Sequence, residues 1–155
     1  ESMFQELCVP LRKYAVTGKW EEAERILNQD DRLTHAAITR EWSTLLHIAA
    51  GANQFLFVEN LLLLLDPQHI ALQDSKGNTA LFLAVASGNL HIVILLVERN
   101  PGLAHIRDTN GHIPIQFALM QGKSDIALWR LYSNTDRIFE DQKSLFFTSI
   151  KAGDY

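Results

Sequence analysis

A single cysteine, Cys8, occurs in the 155 residues, so the chain cannot close an internal disulfide. Asn-x-Ser/Thr acceptors are missing as well. Both absences suit a reducing compartment and predict a cytoplasmic location. Apolar stretches such as Leu61 to Leu65 fall far short of the ~20 residues that a membrane helix needs, and Glu1-Ser2-Met3 has no signal-peptide profile. No membrane insertion is expected of this segment. Charge of one sign is scarce: 14 basic residues stand against 18 acidic ones, a net −4. With no basic stripe to neutralise phosphates, nucleic acid is not an expected partner. At 47% hydrophobic and 21% charged residues the chain is too balanced for disorder and long enough for one or two globular cores.

Reactive constellations are also missing. His35, His47, His69, His91, His105 and His112 follow no metal-ligand spacing and have only Cys8 as a thiol companion. Neither a Gly-x-Ser-x-Gly elbow nor a phosphate-cradling glycine loop occurs. Glu21-Glu22 and Asp30-Asp31 read as a solvated helix face and a loop, and Cys8, between Leu7 and Val9, reads as a small core residue. The sequence therefore predicts no enzyme, no metal and no cofactor.

What is present is repetition. Three windows, TREWSTLLHIAAGANQ (39–54), DSKGNTALFLAVASGN (74–89) and DTNGHIPIQFALMQGK (108–123), align position by position with starts 35 and 34 residues apart. Two degenerate copies extend the series: RKYAVTGK (12–19) lies 70 residues before FLAVASGN (82–89), and FTSIKAGD (147–154) lies 65 after it. A tandem period of this length describes a solenoid whose units bury their faces against one another.

Each middle copy opens polar, with a turn glycine at Gly77 or Gly111, then runs apolar to Gly88 or Gly122. Leu81, Ala84 and Val85 share one face at helical spacing, Thr79 reads as the N-terminal cap and Gly88 as the stop. A second helix carries Leu90, Ile92, Val93, Leu95 and Leu96 and ends at Asn100-Pro101-Gly102. The unit is a turn, two helices and a loop.

These residues resemble the ankyrin consensus opening D-x-x-G-x-T-P-L-H-x-A: Asp74-x-x-Gly77-x-Thr79-Ala80-Leu81-Phe82-x-Ala84, Asp108-x-x-Gly111-x-Ile113-Pro114-Ile115-Gln116-x-Ala118, and Thr44-Leu45-Leu46-His47-x-Ala49. Tetratricopeptide repeats share the period, but only Gly18-Lys19-Trp20 hints at their pattern. The resemblance implies an all-α ankyrin-repeat solenoid of stacked helix-turn-helix units joined by β-turn fingers. It would form one domain over 1–155, with units near 4–38, 39–73, 74–107, 108–138 and a truncated 139–155. More narrowly, Leu11 to Ala23 followed by Thr44 to Ala52 is similar to plant membrane-associated ankyrin proteins. That family places a cytosolic array before a C-terminal PGG-type membrane domain and is associated with defence, cell death and salt response. The likeness implies a fragment of an anchored parent.

In such an array Ala49, Ala84 and Ala118 let first helices approach closely, while Leu46, Leu81 and Ile115 fill the space between units. The apolar run Phe55 to Leu65 has two readings, a helix covered by its neighbours or a docking face. His47 is expected to hydrogen-bond the turn of an adjacent unit.

Function then falls to the surface, and the resemblance implies a protein partner on the concave face and turn tips. The candidate contacts are Arg40, Glu41, Trp42 and Ser43 in copy two; Ser75, Lys76, Asn78, Phe82 and Ser87 in copy three; and Thr109, Asn110, His112 and Met120 in copy four. Trp42 occupies the turn-glycine place, either as a binding anchor or folded back over the first unit. Phe82 and Gln116 replace the usual histidine, which predicts weaker bonding between turns. The alternative partner is a second copy of the chain, or the parent protein itself in an autoinhibitory contact.

Overall fold

A computed structural model describes residues 2–122, and among them every regular element is helical. The first unit pairs α1 (Ser2–Thr17) with α2 (Trp20–Leu27), followed by a 3-10 turn, Asp31–Thr34. The second pairs α3 (Leu45–Gly51) with α4 (Phe55–Leu62) and closes with the short α5 (Pro67–Ile70). The third pairs α6 (Ala80–Ala86) with α7 (Leu90–Arg99) before a 3-10 turn, Pro101–His105, and α8 (Pro114–Met120) opens the fourth. The degenerate copy at 147–154 lies outside the described residues.

The period is written into the backbone. Each helix pair bends at a left-handed residue: Gly18 (φ 79), Asn53 (φ 61), Gly88 (φ 73) and, after α8, Gly122 (φ 73). Only glycine adopts this conformation without a steric cost, with asparagine next best, which explains why the helices stop where they do. The residue that follows starts the second helix and ties it to the preceding unit. Gln54 Nε2 donates to the Val16 carbonyl at 2.8 Å, and Asn89 Nδ2 donates to the Ala50 carbonyl at 2.8 Å. The Gln54 amide reaches a carbonyl in the last turn of α1, and the Asn89 amide adds a donor to the Ala50 carbonyl, which also accepts from the Asn53 N–H at 3.3 Å.

Two helical layers result. First helices stack in the order α1, α3, α6, α8, and second helices in the order α2, α4, α7. Ala49, Ala84 and Ala118 are fully buried and leave room for close approach, while Leu46, Leu81 and Ile115 are buried beside them. The core is continuous from Cys8 to Ala118, so no unit has a core of its own. Trp20 meets Phe57 edge-on at 5.1 Å, which joins the second-helix layers of units one and two.

α1 differs from the other first helices. It has 16 residues where α3, α6 and α8 have 7 each, because the chain continues as helix where later units turn into a finger. Pro10 lies inside it and cannot donate to the Glu6 carbonyl, a loss offset by packing of Phe4, Leu7 and Cys8 on the core.

Thr79 stands at the N-terminus of α6 as expected but makes no side-chain cap, and its buried hydroxyl finds no partner among the described residues. The equivalent Thr44 hydroxyl meets the His47 ring nitrogen at 2.9 Å, a partner that Phe82 cannot supply, and the Phe82 N–H donates to the Thr79 carbonyl instead.

Because neighbours share one core, Leu81→Ala is expected to lower global stability by about 2–5 kcal/mol. Urea unfolding followed by circular dichroism should remain a single transition at a lower midpoint, whereas loss of only the third unit's signal would contradict the shared core.

Candidate protein-interaction surface

The fingers between units are built by short polar side chains. Asp74 Oδ1 accepts from the Lys76 and Asn78 N–H groups, both at 2.9 Å, and Asp108 Oδ1 accepts from Asn110 (3.0 Å) and His112 (2.9 Å). In the first finger Thr39 Oγ1 accepts from the Ser43 N–H at 3.0 Å. This local bonding holds each turn without a strand. Adjacent fingers join through the backbone: Ser75 N–H donates to the Glu41 carbonyl (2.8 Å), and Thr109 N–H to the Lys76 carbonyl (3.1 Å). A Cβ on Gly77 would lie 2.6 Å from the Thr109 nitrogen, so this glycine is required both by its φ of 77° and by the approach of the next finger.

Trp42 occupies the same left-handed place with φ 66° and stays 65% exposed. At that exposure most of the indole is open to solvent. An L-residue there is strained by roughly 1–2 kcal/mol, and exposed indole gains little burial to offset that.

His47 fastens the second unit to the third. Its Nδ1 accepts from the Thr44 N–H at 3.1 Å, which puts the ring proton on Nε2, and Nε2 donates to the Asn78 carbonyl at 2.8 Å. Burial pushes its pKa below the ordinary 6.5, outweighing the opposing pull of the Asn78 carbonyl and the Asp74 carboxylate. In the next units this fastening changes. Phe82 packs on Phe117 with centroids 5.3 Å apart, and Gln116 Oε1 accepts from the Ile113 N–H at 3.0 Å. The expected weakening between turns does not follow. Gln73 Nε2 donates to both the Gly77 carbonyl (2.8 Å) and the Arg107 carbonyl (2.9 Å), and the Thr109 hydroxyl donates to the Lys76 carbonyl (2.9 Å).

Among the sequence-derived contact candidates, Arg40, Glu41, Trp42, Ser75, Lys76, Ser87, Thr109, Asn110 and Met120 are exposed, and Ser43, Asn78 and His112 are half-buried. Phe82 must be withdrawn as a contact: it is fully buried, as His47 is at the equivalent place of α3, and its ring packs on Phe117. Val16 was missed; it is 51% exposed and occupies the place on α1 that Met120, at 62%, occupies on α8. Aligning copy one with the others would have found it. Gln73 was missed because it lies between the repeated windows. The run from Phe55 divides between its two readings: Phe57, Val58, Leu61 and Leu62 are buried, while Leu56 (68%), Leu63 (69%) and Leu64 (49%) face outward.

Among the described residues no three His, Cys, Asp or Glu side chains gather as a metal ion would require, and no helix is long and apolar enough to cross a membrane. His35 and His69 stack face to face at 3.9 Å, bridging units one and two rather than converging on a common point. Burial raises the Cys8 thiol pKa, with Arg12 pulling the other way, so the thiol stays protonated and unreactive at neutral pH.

Trp42→Gly is expected to raise stability by about 1 kcal/mol by removing the left-handed penalty; a urea midpoint shifted upward at unchanged slope would show it. The His47 ring gives a second expectation. Its folded pKa lies below its unfolded one, so below pH 6.5 the unfolded chain binds the extra proton and stability falls with acid. Above that pH the contribution is complete. His47→Gln retains a cap of the Gln116 type, and its urea midpoint should therefore drop less than the wild-type midpoint between about pH 8 and pH 5.

The finger-and-helix-pair geometry has counterparts in known proteins. A family model described as ankyrin repeats in three copies matches residues 14–104 and, again, 46–139. The Target of rapamycin complex 2 subunit AVO2 of Saccharomyces cerevisiae is 31% identical over 119 residues, covering 76% of this chain and 28% of that protein. The chain thus spans little more than a quarter of that relative's length. A chain in the crystal structure of the yeast ribosomal protein Rps3 in complex with its chaperone Yar1 superposes with a TM-score of 0.69 at 24% identity, covering 81% of this chain and 91% of that one. This second likeness speaks to the fold alone. With the family match running through three helix pairs and well over half of the sequence, the chain belongs to the ankyrin-repeat family.

Proposed function

We propose that this chain is a protein-binding module that engages its partner through the finger tips and the exposed side of the first helices. Trp42 carries the reading: a large aromatic is held in the open on a backbone conformation that disfavours it, and tryptophan is enriched where binding energy concentrates. Lys76 and Asn110 continue the row at the next two tips. The names of similar proteins agree with this: one is a subunit of a multiprotein complex, and one comes from a complex of a chaperone with a ribosomal protein. The working unit is binding rather than catalysis, with no metal or cofactor. The narrower sequence resemblance extends the proposal to the cytosolic side of a membrane-anchored plant protein acting in stress or defence signalling. That extension rests on the sequence likeness alone.

A second reading, self-association or autoinhibitory packing, is favoured by Leu56, Leu63 and Leu64, which put apolar side chains outward on the second-helix layer.

Site-specific photo-cross-linking separates the two. A cross-linker replacing Trp42, Lys76 or Asn110 is expected to give discrete adducts with another protein, and Trp42→Ala to weaken that partner's binding by about tenfold or more. Adducts only from Leu56 or Leu63, and only to the chain itself, would transfer the function to the second reading.

A further inference from the structure

The row of fingers is unfinished at its first member. In the second and third fingers the residue after the turn-opening aspartate donates its N–H to the finger before it, Ser75 to Glu41 and Thr109 to Lys76. Arg40 is the equivalent residue of the first finger, and its N–H meets no acceptor among the described residues. Where a preceding finger would lie, the long α1 runs past instead. Between α1 and residues 37–40 it leaves an open cavity of about 400 Å³.

The lining of that cavity has a definite chemistry. Phe4, Val9 and Ile38 offer apolar surface, with Val9 68% exposed, while Arg12 and Arg40 contribute guanidinium groups. Among the described residues no carboxylate lines it. Arg12 stands on α1 in the repeat place that His47 holds on α3, but it makes no hydrogen bond among the described residues, whereas His47 closes the corresponding space by bonding Asn78. An unpaired backbone donor, an apolar floor and two cations therefore share one opening.

We propose that this opening receives an extended acidic segment of a protein partner. A main-chain carbonyl of the segment accepts from the Arg40 N–H and continues the finger row, an apolar side chain enters between Phe4, Val9 and Ile38, and flanking carboxylates meet Arg12 and Arg40. The inference rests on the reading of the array as a protein-binding module, and adds the end of the groove and the charge of its occupant.

The test uses a fluorescein-labelled eight-residue peptide of alternating glutamate and leucine, with a lysine-leucine peptide as comparison. The acidic peptide is expected to bind, to move the Arg40 amide resonance downfield, and to lose affinity as salt is raised. Arg12→Glu combined with Arg40→Glu is expected to weaken it by about tenfold or more. Val9→Lys, at a position exposed enough to leave the core intact, should weaken it through the apolar floor. Equal binding of both peptides, no binding of the acidic one, or an unmoved Arg40 amide would overturn the proposal. So would a self-associated form displaced by the peptide, which would give the opening to a second copy. Cross-links from Trp42, Lys76 and Asn110 that persist after such a failure would show that only the end pocket is wrong; their loss as well would remove the binding reading itself.

Discussion

Burial of the inner first helices, α3 and α6, between their neighbours on either side is the constraint from which the remaining structure follows. Leu46 and Leu81 have no interior except the one that adjoining units create, and Ala49 and Ala84 are small because a larger side chain would hold those units apart. Once this spacing is fixed, the turns that precede the helices must also lie side by side. The backbone bonds from Ser75 to Glu41 and from Thr109 to Lys76 are its direct consequence. Binding surface in this molecule is thus a product of packing: the apolar contacts set the interval at which polar tips are displayed.

Much of this was legible in the sequence, since the same physical demand recurs at the same interval. Gly88 and Gly122 mark places where the backbone turns left-handed, and Leu81 and Ala84 mark a face that must be covered. Departures from the repeat were harder to read. Trp42 and Asn53 adopt the backbone of the glycines they replace, so the conformation outlasted its usual residue. Phe82 reads as a contact in the sequence, but its place is interior whichever ring fills it: His47 is buried at the equivalent position of α3, and Phe82 differs only in packing on Phe117 where His47 bonds a turn. The opening beside Arg40 was illegible for a different reason. It depends on α1 continuing as helix through Pro10, and the first copy is too degenerate for its sequence to show where its finger should have been.

Two of the least regular features lie on the same finger. The strained Trp42 and the unpaired Arg40 N–H are two residues apart, at the end of the row where the repeat is weakest. Further along, Gln73, Gly77 and Thr109 bind the fingers tightly, and the surface they present is correspondingly fixed. Regular packing supplies a rigid display, and the irregular end supplies groups that have not yet spent their bonding capacity.

The polar ties also make the array mechanically uneven. Units two and three are pinned at the fingers by His47, at the ends of their first helices by Ser87 and Asn89, and where α7 ends by Asn100, which donates to the carbonyl of Pro67 at the start of α5 at 2.9 Å. Units one and two have the Gln54 amide, the Trp20–Phe57 contact and the stacked imidazoles of His35 and His69, and among the described residues no bond joins a finger to a finger there. Within the described residues the seam between units two and three therefore carries more polar cross-links than the seam beside the opening, and the array is not held with one strength along its length.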